Sequence, residues 1–241
     1  METQIFNEQD IPKDLLEKLG IELSEDNKQA LLTGNRTELL QLKDLEEGDV
    51  KIKAINAKLS LDLNGELLIH PVYSRMELPD FLTIDDAEKL ASGEIVNLEM
   101  EVNLHGTRRE VLVEFDPETQ EFLITDTDLI QVPDLINNEE LTPEQKLKFK
   151  KGKEVELQED TKVQYTATAP QGLRSNKLAL IASLITDGGI SYLLYKGLHA
   201  MAGEKHDLKS KEYSKGYHEA LQDSQNNQIK DRMQGKYVQS R

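Results

Sequence analysis

Residues 24–39 read SEDNKQALLTGNRTEL, and this stretch decides the fold because its pattern returns twice further along the chain. Residues 83–98 read TIDDAEKLASGEIVNL, and residues 142–157 read TPEQKLKFKKGKEVEL. Each copy begins 59 residues after the previous one. A fixed period is the sequence signature of a repeated structural unit. The alternative is that three unrelated segments use the same favourable helix-capping pattern.

The positions that recur in the three copies have a structural explanation. A hydroxyl residue opens each copy and can cap a helix by accepting a hydrogen bond from a free amide of the first turn. A glycine follows ten residues later, where a left-handed residue commonly ends a helix. These structural repeat positions are Ser24, Gly34, Thr83, Gly93, Thr142 and Gly152. We therefore predict three short helices of about nine residues, each followed by a strand.

Alternating polar and apolar residues predict strand pairs in the rest of each period. Asn64-Gly65 is the strongest hairpin turn, because this dipeptide suits the two-residue turns that join antiparallel strands. The predicted strands are Lys51–Leu63, Glu66–Val72, Ile95–Leu104, Glu110–Phe115, Glu121–Thr125, Glu154–Gln158 and Lys162–Ala169.

The fold class is therefore predicted to be α+β. Three repeated units, each a short helix plus a β-hairpin, would form an elongated body, and an apolar helical hairpin and a polar tail would follow it. The predicted divisions are 1–72, 73–130 and 131–173 for repeat units 1 to 3, 174–203 for the apolar helical segment, and 204–241 for a polar, partly disordered tail.

Two of the repeat regions carry a family resemblance. The strings IPKDLLEKLGIELSEDNKQALLTGNRTELLQL, at residues 11–42, and VPDLINNEELTPEQKLKFKKGKEVELQ, at residues 132–158, resemble domains of unknown function that recur in Bacteroidota, often on conjugative and other mobile elements. The resemblance covers roughly residues 10–160. Its motifs are structural, so it implies no active site. It does imply an accessory protein of a mobile genetic element, such as a conjugative transposon, in a Gram-negative bacterium.

Residues 177–203 form the most apolar stretch, and Asp187-Gly188-Gly189 interrupts it. Each half is shorter than the roughly 20 residues that a membrane-spanning helix needs. We predict two short helices with the break at these three residues, because glycine and an unpaired Asp disfavour a helix interior. Three interpretations stay open: a hairpin packed on the body, an interface for a partner or a second copy, and a membrane anchor. The candidate interface residues are Leu180, Leu184, Leu193 and Leu194.

The polar tail contains one helical signal. Tyr213, Tyr217 and Leu221 are spaced four residues apart, which predicts a short exposed helix. Apolar residues are sparse from Gln222 onward, so we expect disorder there.

Charge is distributed unevenly along the chain. The net charge is −16, with −20 in residues 1–173 and +4 in residues 174–241. A strongly acidic body repels phosphates, so we do not expect it to bind nucleic acid. There is no cysteine, which excludes disulfides, thiol nucleophiles and cysteine-bound metals. The first residues lack a basic and apolar leader pattern, and we expect no secretory signal peptide.

No catalytic motif is present: the sequence lacks a phosphate-binding loop, a nucleophile elbow and a zinc-protease motif. We therefore expect no enzyme, no cofactor and no catalytic or metal site. The expected function is a non-enzymatic protein-interaction or scaffold module, with another protein or a second copy as its partner. The alternatives are a membrane-associated accessory protein anchored by residues 177–203 and a DNA-transfer accessory that contacts nucleic acid through the tail. We expect a cytoplasmic protein, with membrane association through residues 177–203 as the alternative.

Overall fold

The structure is a computed structural model that describes residues 6, 10–47, 50–62, 64–104, 106–186, 189–196, 199–201 and 215–238. The chain divides into two compact units. The first unit comprises Met1–Gln131, Lys150–Lys153 and Tyr165–Arg174, and the second comprises the remaining segments. The fold is mixed α+β, with mostly antiparallel sheets and few helices, as the sequence predicts at this coarse level.

The first sheet of the first unit has three antiparallel strands in the order β1-β2-β3. They are β1 (Leu40–Glu47), β2 (Val50–Leu61) and β3 (Leu67–Pro71), preceded by the helices α1 (Lys13–Lys18) and α2 (Glu25–Leu32). One core cluster joins helices and sheet, and its most buried members include Leu31, Leu42 and Leu59. The turn between β2 and β3 lies where the sequence predicts it: the Asp62 carboxylate accepts hydrogen bonds from the amides of Asn64 and Glu66.

The second sheet of the first unit also has three strands, and one helix precedes it. Its strand order is β4-β5-β6, again antiparallel. The elements are α3 (Ile84–Ser92), β4 (Asn97–Leu104), β5 (Thr107–Asp116), β6 (Glu121–Asp126) and a 3-10 helix at Thr127–Leu129. Leu90 of α3 packs with Val111, Val113 and Phe122 of the sheet in a separate core cluster.

Two four-stranded sheets follow, in the orders β13-β12-β7-β8 and β14-β11-β10-β9. The elements are β7 (Leu135–Ile136), β8 (Glu139–Glu140), α4 (Pro143–Lys150), β9 (Val155–Glu156), β10 (Lys162–Tyr165), β11 (Leu173–Ser175), β12 (Ala179–Thr186), β13 (Gly189–Lys196), β14 (His199–Ala200) and α5 (Lys215–Val238). The short strands β7, β8, β11 and β14 were not expected from the sequence.

The local geometry at the repeat positions is as predicted. The hydroxyls of Ser24, Thr83 and Thr142 each accept a hydrogen bond from the amide three residues further on. Helices α2, α3 and α4 have eight, nine and eight residues. The glycines that follow them all have positive φ: 72° at Gly34, 75° at Gly93 and 60° at Gly152.

The prediction of a helical hairpin in residues 177–203 is wrong. The segment forms β12 and β13, which pair antiparallel from Ala179↔Lys196 to Thr186↔Gly189. The break lies where the sequence places it, since Gly189 begins β13, while Asp187 and Gly188 lie outside the described residues. The physical reason is that uniformly apolar runs of eight residues also fit a strand buried on both faces, and Ile, Tyr and Thr favour strands over helices.

The four candidate interface leucines do not form one patch. Residues directly opposite each other in an antiparallel pair lie on the same face, and neighbours along a strand alternate. Leu180 is opposite Tyr195, whereas Leu194 is opposite Ile181, so Leu180 and Leu194 are on opposite faces. Leu180 is also completely buried, while Leu194 is 43% exposed.

The tail differs from its prediction as well. Helix α5 runs from Lys215 to Val238, so residues 222–238, where we expected disorder, are helical. Tyr217 and Ala220 are buried and pack in one cluster with Ala179 and Ile181 of β12, so the helix is not an exposed one. Tyr213 lies outside the described residues. Tertiary packing supports the start of the helix, where Tyr217, Ala220 and Leu221 pack against β12.

Within the part of the chain that the structure describes, no helix combines the length and the apolar character needed to cross a membrane.

Candidate interaction site

The second half of β2 is buried on both faces. Ala57, Leu59 and Leu61 point into the first core cluster, as their alternation predicts. Lys58 and Ser60, on the opposite face, are buried too, and Lys58 is only 1% exposed. A buried lysine is rare unless it is paired, so its surroundings show what this face is for.

Three oxygen atoms surround the Lys58 ammonium group, which carries three protons. Asp116 Oδ2 and Glu118 Oε2 each lie 2.8 Å from Nζ, and Nζ donates a hydrogen bond of 3.3 Å to the carbonyl oxygen of Thr168. Asp116 is 1% exposed, whereas the Glu118 side chain is 53% exposed. The lysine therefore joins β2 of the first sheet to the end of β5 and to the segment after β10.

Glu114, two residues before Asp116 on β5, also binds the segment after β10. Its carboxylate accepts hydrogen bonds from Thr166 Oγ1 at 2.5 Å and from the Ala167 amide at 3.0 Å. Burial of the carboxyl group raises the pKa of Glu114 to about 7, and these two donors oppose that rise. We call Lys58, Glu114, Asp116 and Glu118 the charge clamp, because together they fix residues 166–168 against both sheets.

His70 extends this polar region along β3, where it lies opposite Lys58. Its Nε2 is 2.8 Å from Ser60 Oγ, and its Nδ1 is 3.8 Å from Glu121 Oε2. Burial, followed by the positive charge of Arg36, lowers the pKa of His70 to about 4, so the ring is neutral at pH 7. Arg36 forms an ion pair with Glu121 at 2.5 Å.

Three of the four charge-clamp residues are enclosed, whereas Glu118 reaches the surface. Lys58, Glu114 and Asp116 are each about 1% exposed, and their charged groups contact one another or residues 166–168. A reacting group must lie within hydrogen-bond distance of its substrate. The arrangement is therefore suited to holding segments of the chain together, not to meeting a substrate from solution.

An open cleft of about 250 Å³ lies beside Glu121 on the surface of the first unit. One wall is the segment that follows β3, and the other is the start of β6. The Tyr73 amide donates a 3.0 Å hydrogen bond to the carbonyl oxygen of Thr119, which fixes the two walls together. The lining residues are Tyr73, Arg75, Glu77, Leu78, Pro79, Gln120, Glu121 and Phe122. We call it the Tyr73 cleft.

Large apolar side chains are exposed along the same segment. Five of them lie within residues 68–78, and each is 42–44% exposed. They are Leu68, Val72, Tyr73, Met76 and Leu78. Single exposed apolar residues are normal on a protein surface, but several close together in the chain and beside a cleft are typical of an interaction site.

Two other cavities have a less distinctive lining. A groove of about 340 Å³ in the first unit lies over Ile11, Leu16 and Leu23, which already belong to the first core cluster. A pocket of about 300 Å³ in the second unit is mostly polar and includes Asn138, whose side-chain amide donates a hydrogen bond to Asp223. Among the described residues, no group of three or more His, Asp or Glu side chains is arranged to hold a metal ion.

The sequence-predicted residues and the cleft do not coincide. The repeat serine, threonines and glycines lie at helix ends, and the candidate interface leucines belong to β12 and β13. Sequence reasoning missed Lys58, Glu114 and Asp116 because alternation assigns them to a solvated face. A signal for the cleft was present, since Val72, Tyr73, Met76 and Leu78 are apolar residues in a stretch without strand or helix periodicity.

Comparisons of the chain with protein-family models, with curated proteins and with solved structures found no match.

Proposed function

We propose that this protein is a non-enzymatic interaction module of the scaffold type, which binds a partner protein through the Tyr73 cleft. The observation that carries the proposal is the set of five exposed apolar side chains in residues 68–78, two of which, Tyr73 and Leu78, line an open cleft. The charge clamp supports it, because its buried groups are used inside the protein: Lys58 pairs with Asp116, and Glu114 accepts a hydrogen bond from Thr166. Interaction surfaces of this kind use apolar anchors surrounded by polar residues.

We also propose that the α2, α3 and α4 regions are copies of one unit. The shared caps and positive-φ glycines support this. A buried leucine precedes the cap in each copy, at Leu23, Leu82 and Leu141. A repeated unit would act as the scaffold that positions the loop carrying the cleft. The resemblance of residues 11–42 and 132–158 to mobile-element domains supports a role as an accessory protein of a bacterial mobile element.

A photo-cross-linking experiment tests the proposed interaction. A photoreactive amino acid at Met76 should give one discrete cross-linked product in cells of the native host, because Met76 is 42% exposed and its chain neighbours Arg75 and Glu77 line the cleft. The same label at Leu147, which is 55% exposed and lies outside residues 68–78, is the matched control. Adding Leu78→Asp should remove the Met76 product.

Equal products from positions 76 and 147, or a Met76 product that persists in the Leu78→Asp variant, would contradict binding through the cleft. A circular dichroism spectrum and a thermal midpoint like those of the wild type would show that Leu78→Asp is folded, as expected for a side chain that is 42% exposed.

The membrane-anchor alternative has less structural support. An anchor needs its apolar side chains at the surface, but Leu180, Ile181 and Ala182 of β12 are at most 1% exposed. Contact of the tail with nucleic acid stays a prediction, and salt-dependent DNA binding by residues 174–241 would test it.

A further inference from the structure

We propose that the occupant of the Tyr73 cleft is a short peptide segment whose apolar anchor residue is flanked by lysine or arginine. This inference rests on the proposed function and names the partner chemistry of the same site. It follows from the size of the cleft, the chemistry of its walls and the charge around it.

The size of the cleft favours a side chain over a small-molecule cofactor. Its volume is about 250 Å³. Sites for drug-sized ligands occupy roughly 300–1,000 Å³. A single large apolar side chain with its backbone fits a cleft of this size, and such an anchor can supply most of the binding energy of a peptide.

The walls supply both apolar contact and orientation. Leu78, Pro79 and Phe122 line the cleft, and the Phe122 ring is fixed by a tilted contact with Phe115 at a centroid distance of 5.2 Å. The hydrogen bond from the Tyr73 amide to the Thr119 carbonyl oxygen holds the two walls together. A cleft with fixed walls binds without a large ordering cost.

The charge around the cleft is negative. Residues 73–80 and 117–122, which form the two walls and their continuations, contain four acidic residues and one basic residue. Glu118 is paired with Lys58 and Glu121 with Arg36, while the other two acids, Glu77 and Asp80, are both exposed. Arg75 is the basic residue. Opposite charges on the two sides of an interface steer binding and reject partners of like charge, so the flanks of the peptide should be basic.

A second copy of the chain is a poorer occupant for the same reason. The protein carries a net charge of −16, and residues 1–173, which contain the cleft, carry −20. A second acidic body would bring like charges together at this surface. The occupant is therefore a segment of another protein that is both basic and apolar.

The test measures fluorescence anisotropy of a labelled synthetic peptide, with one central leucine, two lysines on either side and serine at the ends, added to the full-length protein. It should bind at least about tenfold more tightly than two matched peptides. One has glutamates in place of the lysines, and the other has glycine in place of the leucine. Added salt should reduce the preference for lysine over glutamate, but not the preference for leucine over glycine.

Leu78→Asp separates docking in the cleft from general attraction to an acidic protein. If net charge alone attracts the lysine peptide, an added carboxylate strengthens binding. If the leucine anchor occupies the cleft, Leu78→Asp weakens binding by about tenfold or more, while Leu147→Asp, which adds the same charge elsewhere, does not. Glu77→Lys should lower the preference for the lysine peptide over the glutamate peptide.

Several results would overturn the inference: equal binding of the lysine and glutamate peptides, undiminished binding by Leu78→Asp, or a dimer in sedimentation that Leu78→Asp dissociates. The last result would make a second copy the occupant. A Met76 cross-link to a partner segment that lacks Lys and Arg would overturn this inference alone and leave the proposed function intact. No specific Met76 cross-link in the host would count against the proposed function, whatever the peptides do.

Discussion

The second half of β2 and the first half of β12 are each buried on both faces, but one carries a charged side chain and the other is apolar. On β2, Lys58 is buried among carboxylates and a carbonyl oxygen. On β12, Leu180 and Ile181 point to opposite faces, and both are at most 1% exposed. Alternation of polar and apolar residues tells which side of a strand a residue occupies. It does not tell whether another part of the chain covers that side.

The two regions should respond differently to mutation. A buried ion pair contributes little relative to apolar residues of the same shape, but removing one partner leaves an unpaired charge in the interior. A buried leucine contributes through the apolar area that it removes from water and the space that it fills. The comparison can therefore be tested through the free energy of unfolding, measured by chemical denaturation.

The largest effect is expected at Lys58. Lys58→Met leaves Asp116 buried without its cation, so the free energy of unfolding should fall by about 3–5 kcal/mol. The double variant Lys58→Met with Asp116→Leu should recover most of this loss, because both charges are then absent. Lys53→Met, an exposed lysine on the same strand, is the control and should change stability by less than about 0.5 kcal/mol. A small effect at Lys58 would show that the clamp is open to water.

On the apolar strand, Leu180→Ala should cost about 3 kcal/mol, since it leaves a cavity at a completely buried position. Leu194→Ala, on the opposite face and 43% exposed, should cost less than about 1 kcal/mol. Unlike the lysine variant, neither leucine variant should be rescued by a second substitution of a charged residue. If the two leucine variants have equal effects, the described pairing of β12 with β13 is wrong.

Glu114 should give the charge clamp a pH dependence that the apolar strand lacks. Its pKa is about 7 in the folded protein and near 4.5 in the unfolded chain, so the folded state binds more protons between these values. Stability is therefore highest below about pH 4.5 for this group and falls as the pH rises towards 7, by up to roughly 3 kcal/mol. Glu114→Gln should remove this contribution, whereas Glu110→Gln, an exposed carboxylate on the same strand, should not.

The measurement is a set of denaturation curves from pH 5 to pH 8 for wild type and both variants. The relevant quantity is the difference in slope between wild type and Glu114→Gln, because other groups titrate in all three proteins. Parallel stability curves for wild type and Glu114→Gln would mean that the carboxyl group is hydrated in the folded state.

These contrasts also explain how much of the fold the sequence could predict. The helix caps and the Asn64-Gly65 turn were predicted because neighbouring residues determine them. Strands β12 and β13 were missed because a short apolar run fits a buried helix or a buried strand equally well. Lys58 was missed because its partners Asp116 and Thr168 are far away in sequence, and the Tyr73 cleft because two separate segments form it.

The smallest loss of stability is expected for Gly93→Ala. Comparing it with Gly152→Ala separates the cost of positive φ from the cost of contacts with neighbouring side chains. Gly93 and Gly152 occupy the same position in the repeated pattern and share positive φ. A Cβ at Gly93 meets nothing within 4 Å, whereas a Cβ at Gly152 would lie 2.9 Å from Leu112 Cδ1 and 2.6 Å from Asn97 Nδ2. Gly93→Ala should therefore cost about 1 kcal/mol, the penalty of positive φ alone.

Gly152→Ala should cost measurably more than Gly93→Ala, because Asn97 must also move and its 2.9 Å hydrogen bond to the Gly152 carbonyl oxygen is disturbed. Adding Asn97→Ala isolates the contribution of the Asn97 contact. It should narrow the difference in stability loss between the two glycine variants without changing the loss at Gly93. Equal losses at the two glycines would mean that backbone conformation alone sets the cost. A larger loss at Gly152 that Asn97→Ala reduces would show that the same backbone conformation has different neighbouring side chains at the two glycines.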